Sequence, residues 1–342
     1  MIYSHPLRSL SVIAVLAASL LWSGQLPGTS TSGPSTQFGG PSLGFIPGGT
    51  PSELRPILGI PGAARLGVLI SLPSTVTQLY LAPGHSYALA AQGTASPVAI
   101  TILRTPAGVH SNPVLVPVPG AISRPELVAF SPTARSVAMY SQAANRLQVF
   151  TGLPNSPQLV ADTTNVYLSD APSKLAISDD AQGVLIADGS GTVYALSGSA
   201  PAPIYHSSQV GALVFVTNSR DAIVSDPARG TTAVLETSTP AAGVKMLLPS
   251  SSGGCQPQAA VSTADGNTVL LACPAQHLIT SVDRTSGVTN TYKINGTPSA
   301  LDATGAKDTF LMSPADNGTY WLFTWRPDGP IISFIGTPRH SD

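Results

Sequence analysis

One phrase written six times constrains this chain more than any other feature. KLAISDDAQGVLIADGSGTVYAL begins at Lys174 and reads as three short apolar runs separated by two polar turns. With small gaps it recurs as QLYLAPGHSYALAAQ from Gln78, ELVAFSPTARSVAMYSQAANRLQVF from Glu126, ALVFVTNSRDAIVSDPARGTTAVL from Ala212, QAAVSTADGNTVLLACPAQHLITSV from Gln258 and SALDATGAKDTFLMSPADNGTYWLF from Ser299. Successive starts lie 48, 48, 38, 46 and 41 residues apart. Runs of about five apolar residues bounded by Ser, Asp, Gly and Pro are strands joined by hairpins. Asp188-Gly189 and Asp265-Gly266 are hairpin-type turn pairs. Between the third run of one copy and the next copy there is room for a fourth, more variable strand, such as NPVLVPV at Asn112 or VTNTYKI at Val288. Four strands repeating every 40 to 50 residues or so make a propeller blade.

The expected fold is therefore an all-β propeller of four-stranded blades. The small side chains of each first run suit an innermost strand, where blades converge and bulk does not fit. Six copies are legible. The preceding piece, RPILGIPGAARLGVLISLPS (Arg55 to Ser74), is either an outer strand that closes the ring or the remnant of a seventh blade. Six blades with N-terminal closure is the favoured count. Closure matters because it removes unpaired sheet edges that invite aggregation.

Composition agrees. Charged residues are 10% of the chain, with 32 Gly and 32 Pro, too few charges to dress several surface helices. The net charge of -1 and the lack of a Lys/Arg cluster exclude the usual electrostatic basis for nucleic-acid binding. Ahead of the repeats, residues 1–23 carry Arg8 before an apolar run from Leu10 to Trp22 and read as a signal peptide or N-terminal anchor. The run is shorter than the roughly 20 residues of a spanning helix. Cleavage is expected after Ser23. Residues 24–53 are rich in Gly, Ser, Thr and Pro and read as a disordered linker, leaving 54–342 for the propeller. The expected location is secreted, periplasmic or cell-surface, with no membrane span once residues 1–23 are removed.

The phrases AFSPTARSVAMY (Ala129 to Tyr140), AISDDAQGVLIAD (Ala176 to Asp188) and AVSTADGNTVLLA (Ala260 to Ala272) carry a resemblance. They look like the blade motif of the secreted bacterial propellers of the YVTN and TolB-like kind, although no YVTN tetrapeptide occurs. The resemblance extends from about Pro56 to Pro338 and implies a bacterial, exported propeller.

Cys255 and Cys273 are the two cysteines. If the hairpin between them turns around Ala264-Asp265, they face one another at its open end, and in an exported protein a disulfide is expected.

Reacting groups of catalytic propellers usually stand where inner strands begin, around one mouth of the channel. By the repeat alignment that mouth is lined by Gln78, Glu126, Lys174, Gln258 and Ser299, with Asp302 one step deeper. Such a polar ring is a candidate ligand site, or simply a set of solvated strand ends. A metal-dependent lactonase needs several carboxylates or His residues converging there, and Glu126 and Asp302 are too few. Asp179-Asp180 and the Asp188 turn resemble pieces of calcium loops but fall where turn chemistry already demands Asp. His85, His110, His206 and His277 stand in no nucleophile motif. No Gly-rich phosphate loop joins a strand to a helix, so no catalytic residue, metal or cofactor is implied. The reading is a monomeric, non-enzymatic binding or scaffolding module for an envelope protein, peptide or glycan. The alternative is a lactonase-like or other hydrolase using the channel mouth.

Overall fold

The computed structural model describes residues 41–93, 99–104, 114–197, 200–237, 243–249, 254–315 and 319–336. They form seven antiparallel four-stranded sheets. Blade 1 comprises β1 (Ser42–Pro47), β2 (Glu53–Leu58), β3 (Arg65–Leu66) and β4 (Ile70–Ser71). Blade 2 comprises β5 (Val76–Leu81), β6 (Tyr87–Gln92), β7 (Ala99–Arg104) and β8 (Val114–Pro117), with a 3-10 turn at Pro83–His85 between its first two strands. Blade 3 runs through β9 (Leu127–Phe130), β10 (Ser136–Ser141), β11 (Arg146–Thr151) and β12 (Gln158–Thr164). Blade 4 holds β13 (Pro172–Ile177), β14 (Val184–Asp188), β15 (Thr192–Ser197) and β16 (Ala200–His206). Blade 5 holds β17 (Leu213–Phe215), β18 (Asp221–Asp226), β19 (Thr231–Glu236) and β20 (Gly243–Leu248). Blade 6 is β21 (Ala259–Ser262), β22 (Thr268–Cys273), β23 (Leu278–Asp283) and β24 (Thr289–Lys293). Blade 7 is β25 (Leu301–Ala303), β26 (Thr309–Ala315), β27 (Thr319–Thr324) and β28 (Ile331–Phe334).

In blades 2 to 7 the second strand shows no hydrophobic-in, polar-out alternation. All six residues of β10 and all five of β14 are buried, because a radial sheet packs both of its faces against neighbouring blades. Outermost strands such as β12 alternate between exposed and half-buried positions. The core is accordingly a circle of seven apolar seams, each shared by two consecutive blades. Met139 and Phe150 meet Leu89 and Ile102 at the seam of blades 2 and 3, and Leu270 and Ala272 meet Phe310 and Phe323 at that of blades 6 and 7. The last two seams close the ring: Ile57 and Leu66 pack on Leu311 and Leu322 of blade 7, while Phe45 and Leu54 pack on Ala88 and Leu103 of blade 2.

The favoured count of six is therefore corrected to seven, the alternative that the Arg55–Ser74 stretch had left open. That stretch does not add a strand to the last blade, which has four of its own. Together with residues 42–54 it builds a separate sheet. The expected linker over 24–53 thus contains β1, whose Leu43, Phe45 and Ile46 are buried; residues 24–40 and the signal segment 1–23 lie outside the described residues. Blade 1 is short: β3 and β4 share one edge of β2, pairing with Ile57–Leu58 and Glu53–Leu54 respectively. Beyond β28 the chain meets it again, with the Leu66 N–H donating to the Gly336 carbonyl at 2.9 Å and the Gly336 N–H to that of Ala64 at 3.2 Å.

Cys255 and Cys273 form a disulfide with Cα atoms 5.3 Å apart. The hairpin turns one residue later than the spacing suggests, with Ala259 opposite Ala272 and Ser262 opposite Val269. Cys255 consequently lies just outside the ladder, in the segment that leads into β21 from the turn at Gly254, and still reaches Cys273 at the end of β22.

Candidate functional site

The seven first strands surround a central cavity of about 1120 Å3. It is lined by the middles and C-terminal ends of these strands and by the turns that follow them, and its wall is largely apolar: Leu81, Phe130, Ile177, Phe215, Val261 and Leu301 all contribute. The cavity therefore lies towards the face on which the inner hairpins turn.

That face carries a closed belt of hydrogen bonds, one link at every blade seam. The Phe45 N–H of blade 1 donates to Nδ1 of His85 in blade 2 at 3.0 Å. The Tyr87 hydroxyl donates to the Ala134 carbonyl of blade 3 at 2.6 Å. Asp179 of blade 4 serves two seams: Oδ1 accepts the N–H and hydroxyl of Thr133 at 2.8 and 2.6 Å, and Oδ2 accepts the Asn218 N–H of blade 5 at 2.8 Å. Beside it Asp180 pairs with Arg220 at 2.6 Å. The Thr217 N–H donates to Oγ of Ser262 in blade 6 at 3.0 Å, and the Ala264 N–H to Oδ1 of Asp308 in blade 7 at 2.7 Å. The Gly305 N–H completes the circle on the Leu43 carbonyl of blade 1 at 2.7 Å. At the four seams from blade 3 to blade 7 a turn exposes an N–H that its own hairpin does not satisfy, and the Asp or Ser of a neighbour accepts it. Hydrogen bonds to a carboxylate contribute more than neutral ones, about 1.5–3 kcal/mol each. Asp179 and Asp180 are accordingly structural clasps.

His85 is buried, and burial pushes its pKa down to about 4. Its Nδ1 must be unprotonated to accept the Phe45 N–H, so the belt requires the neutral ring.

Among the residues singled out from the repeats, Asp302 lines the cavity. It is the middle residue of β25, between buried Leu301 and half-buried Ala303. Its side chain is open to the cavity yet surrounded by protein, and burial raises its pKa above the ordinary carboxylate value. Among the described residues it has neither a hydrogen-bond partner nor an ion-pair partner. The other five are exposed and lie outside the cavity wall: Gln78 and Lys174 in the first halves of β5 and β13, and Glu126, Gln258 and Ser299 just ahead of β9, β21 and β25. The Glu126 carboxylate accepts the Gln142 N–H at 2.8 Å. Repeat alignment did not single out His85, Thr133, Thr217, Lys307 or Asp308, which also line the cavity. The signal available for them was the recurrent polar turn after each first run. No group of three or more His, Cys, Asp or Glu side chains able to hold a metal ion occurs among the described residues.

No family model matches this chain, and no curated protein does. Solved structures do match. A functionally unknown protein from Desulfotomaculum acetoxidans aligns with TM-score 0.55 and 13% identity, over 87% of this chain and all of that one. A putative 6-phosphogluconolactonase from Bacteroides uniformis aligns with TM-score 0.56 and 15% identity, over 86% of this chain and 94% of that one. Apo AztD from Citrobacter koseri aligns with TM-score 0.56 and 9% identity, over 86% and 94%. At these identities the likeness is one of fold: this chain is a seven-bladed β-propeller.

Proposed function

We propose that this propeller is an exported, non-enzymatic binding module of the YVTN/TolB-like kind. Its central cavity, reached from the belt face, receives part of an envelope protein, a peptide or a glycan. The observation that carries this reading is the cavity itself. At about 1120 Å3 it has the capacity of a ligand site, its wall is mostly apolar, and one carboxylate stands in it without a protein partner. The belt supports the same reading, because interlocked turns hold the mouth in one shape and a preorganised site loses less entropy on binding. The disulfide fits an oxidising compartment outside the cytoplasm.

The lactonase alternative has the fold likeness to the Bacteroides uniformis protein behind it and shares the channel. It would have to work with Asp302 and groups already committed to the belt, such as Asp308. Two measurements separate the readings. A photo-crosslinker placed at Val214, on the cavity wall, should capture partner from an envelope extract, while one at Val160, on the outer strand β12, should not. Lactone hydrolysis above background by the purified protein, with or without added Ca2+ or Zn2+, would overturn the non-enzymatic reading. N-terminal sequencing of secreted material should find the mature chain beginning near Gly24.

A further inference from the structure

We propose that the cavity recognises an ammonium group, at the N-terminus or on a lysine side chain of an otherwise uncharged peptide, with Asp302 as its counter-ion. This rests on the binding reading above and narrows its three partner classes to one. Three observations carry it. First, Asp302 stands on the cavity wall in the middle of an innermost strand, with its side chain open to the cavity. Second, no cation of the protein pairs with it among the described residues: Arg146, Arg220, Arg229 and Arg284 pair with Asp162, Asp180, Asp226 and Asp221, all elsewhere. Third, the wall combines Leu, Val, Ile, Phe and Ala side chains, which suit an aliphatic peptide, with Thr133, Thr217, Ser262, Thr304 and Thr309, whose hydroxyls are already hydrogen-bonded within the protein and are less available to a glycan.

An unpaired carboxylate in such surroundings destabilises its own charged form, and a ligand cation removes that penalty. Burial accordingly raises the pKa of Asp302 above the ordinary carboxylate value. The other titratable groups on the wall do not compete for the role. His85 is engaged by Phe45, the Asp308 carboxylate accepts the Ala264 N–H, and Lys307, the cation on this wall, forms no ion pair with Asp302. A charge-assisted contact of this kind corresponds to at least about a ten-fold gain in affinity.

The test is calorimetric titration of the intact protein with a leucine–alanine tetrapeptide amidated at its C-terminus, and with the same peptide acetylated at its N-terminus. The free amine should bind at least about ten-fold tighter than the acetylated form. Asp302→Asn should abolish that difference while leaving the acetylated peptide's affinity unchanged. Thermal melting of the variant at or above the wild-type temperature confirms that it folds, and Asp302→Ser provides a second variant with the same expectation. Equal binding of both peptides, or a difference that survives Asp302→Asn, overturns ammonium recognition and leaves the channel reading standing. Absence of saturable binding by either peptide at millimolar concentration overturns both. Hexylamine binding as tightly as the free peptide overturns the peptide source.

Discussion

Blade 1 and blade 6 occupy equivalent places in one ring and are held there by different means. Blade 6 has strands of four to six residues in three full ladders, a disulfide at one hairpin end and an Asp265 carboxylate that accepts the Thr263 hydroxyl at 2.6 Å and the Asn267 N–H at 3.0 Å. Blade 1 has two six-residue strands and two of two residues each. Its outside links are the His85 clasp, the Gly305–Leu43 bond and the Gly336 bridge. Blade 6 would be recognisable alone, whereas blade 1 exists because blades 2 and 7 leave it two apolar faces to fill. Among the described residues, closure is achieved by side-to-side packing and the single Gly336 bridge.

The sharpest way to break this contrast is to hollow each blade in turn. Ile57 is fully buried against blade 7, and Leu271 is fully buried in the seam of blades 5 and 6. If blade 1 is an integral member of the ring, Ile57→Ala and Leu271→Ala should each lower the denaturant-unfolding free energy by about 3–4 kcal/mol, with one shared transition. A change under about 1 kcal/mol for Ile57→Ala alone would mean that blade 1 detaches before the ring unfolds.

The same contrast explains what could be read from the sequence. Blades 2 to 7 announce themselves because each inner hairpin turn must offer an acceptor or an N–H to its neighbour, and that demand writes Ser-Asp-Asp, Thr-Ala-Asp or Thr-Gly-Ala at a fixed place. Blade 1 turns through Gly48-Gly49-Thr50-Pro51-Ser52, where the Gly48 N–H bonds to the Glu53 carbonyl within the hairpin, so its composition is indistinguishable from that of a linker. The candidate site was legible in part for a related reason. Repeat alignment locates strand starts, while the cavity sits at strand ends and turns. Asp302 bridges the two because it is the middle residue of the three-residue β25 and lines the cavity.

Blade 6 has a covalent staple with no counterpart in blade 1. Replacing Cys255 and Cys273 together with Ala should lower stability by about 3 kcal/mol, the loop-closure contribution of a bridge spanning 18 residues. The measurement is a thermal melt under oxidising conditions with the reduced wild type as control. A loss below about 1 kcal/mol would show that the ladders of β21 to β24 hold the blade without it.

Acid should act on the blade 1 side. The unfolded chain gains a proton on His85 below its ordinary pKa of 6.5, while the folded imidazole stays neutral until about 4. The unfolded state therefore binds more protons across that window, and stability falls as pH falls through it, by about 2 kcal/mol at pH 5. His85→Gln should flatten this limb between pH 6.5 and 5. Persistence of the full slope in the variant would assign it to other groups and leave the seam of blades 1 and 2 insensitive to acid.

The smallest effects come from two glycines that differ in what surrounds them. Gly62 in blade 1 has φ +90, and a Cβ there would meet nothing within 4 Å. Gly62→Ala should therefore cost about 1 kcal/mol, the backbone penalty alone. Gly266 in blade 6 has φ +71, and a Cβ would stand 2.9 Å from the Thr217 carbonyl oxygen and 3.2 Å from Val216 of blade 5. Gly266→Ala must add steric displacement of a neighbouring blade's backbone to the same penalty, and its cost should exceed that of Gly62→Ala by about 1 kcal/mol or more. Equal costs would mean that the turns of blades 5 and 6 yield to one another freely, in which case the belt positions its donors and acceptors without fixing the shape of the mouth.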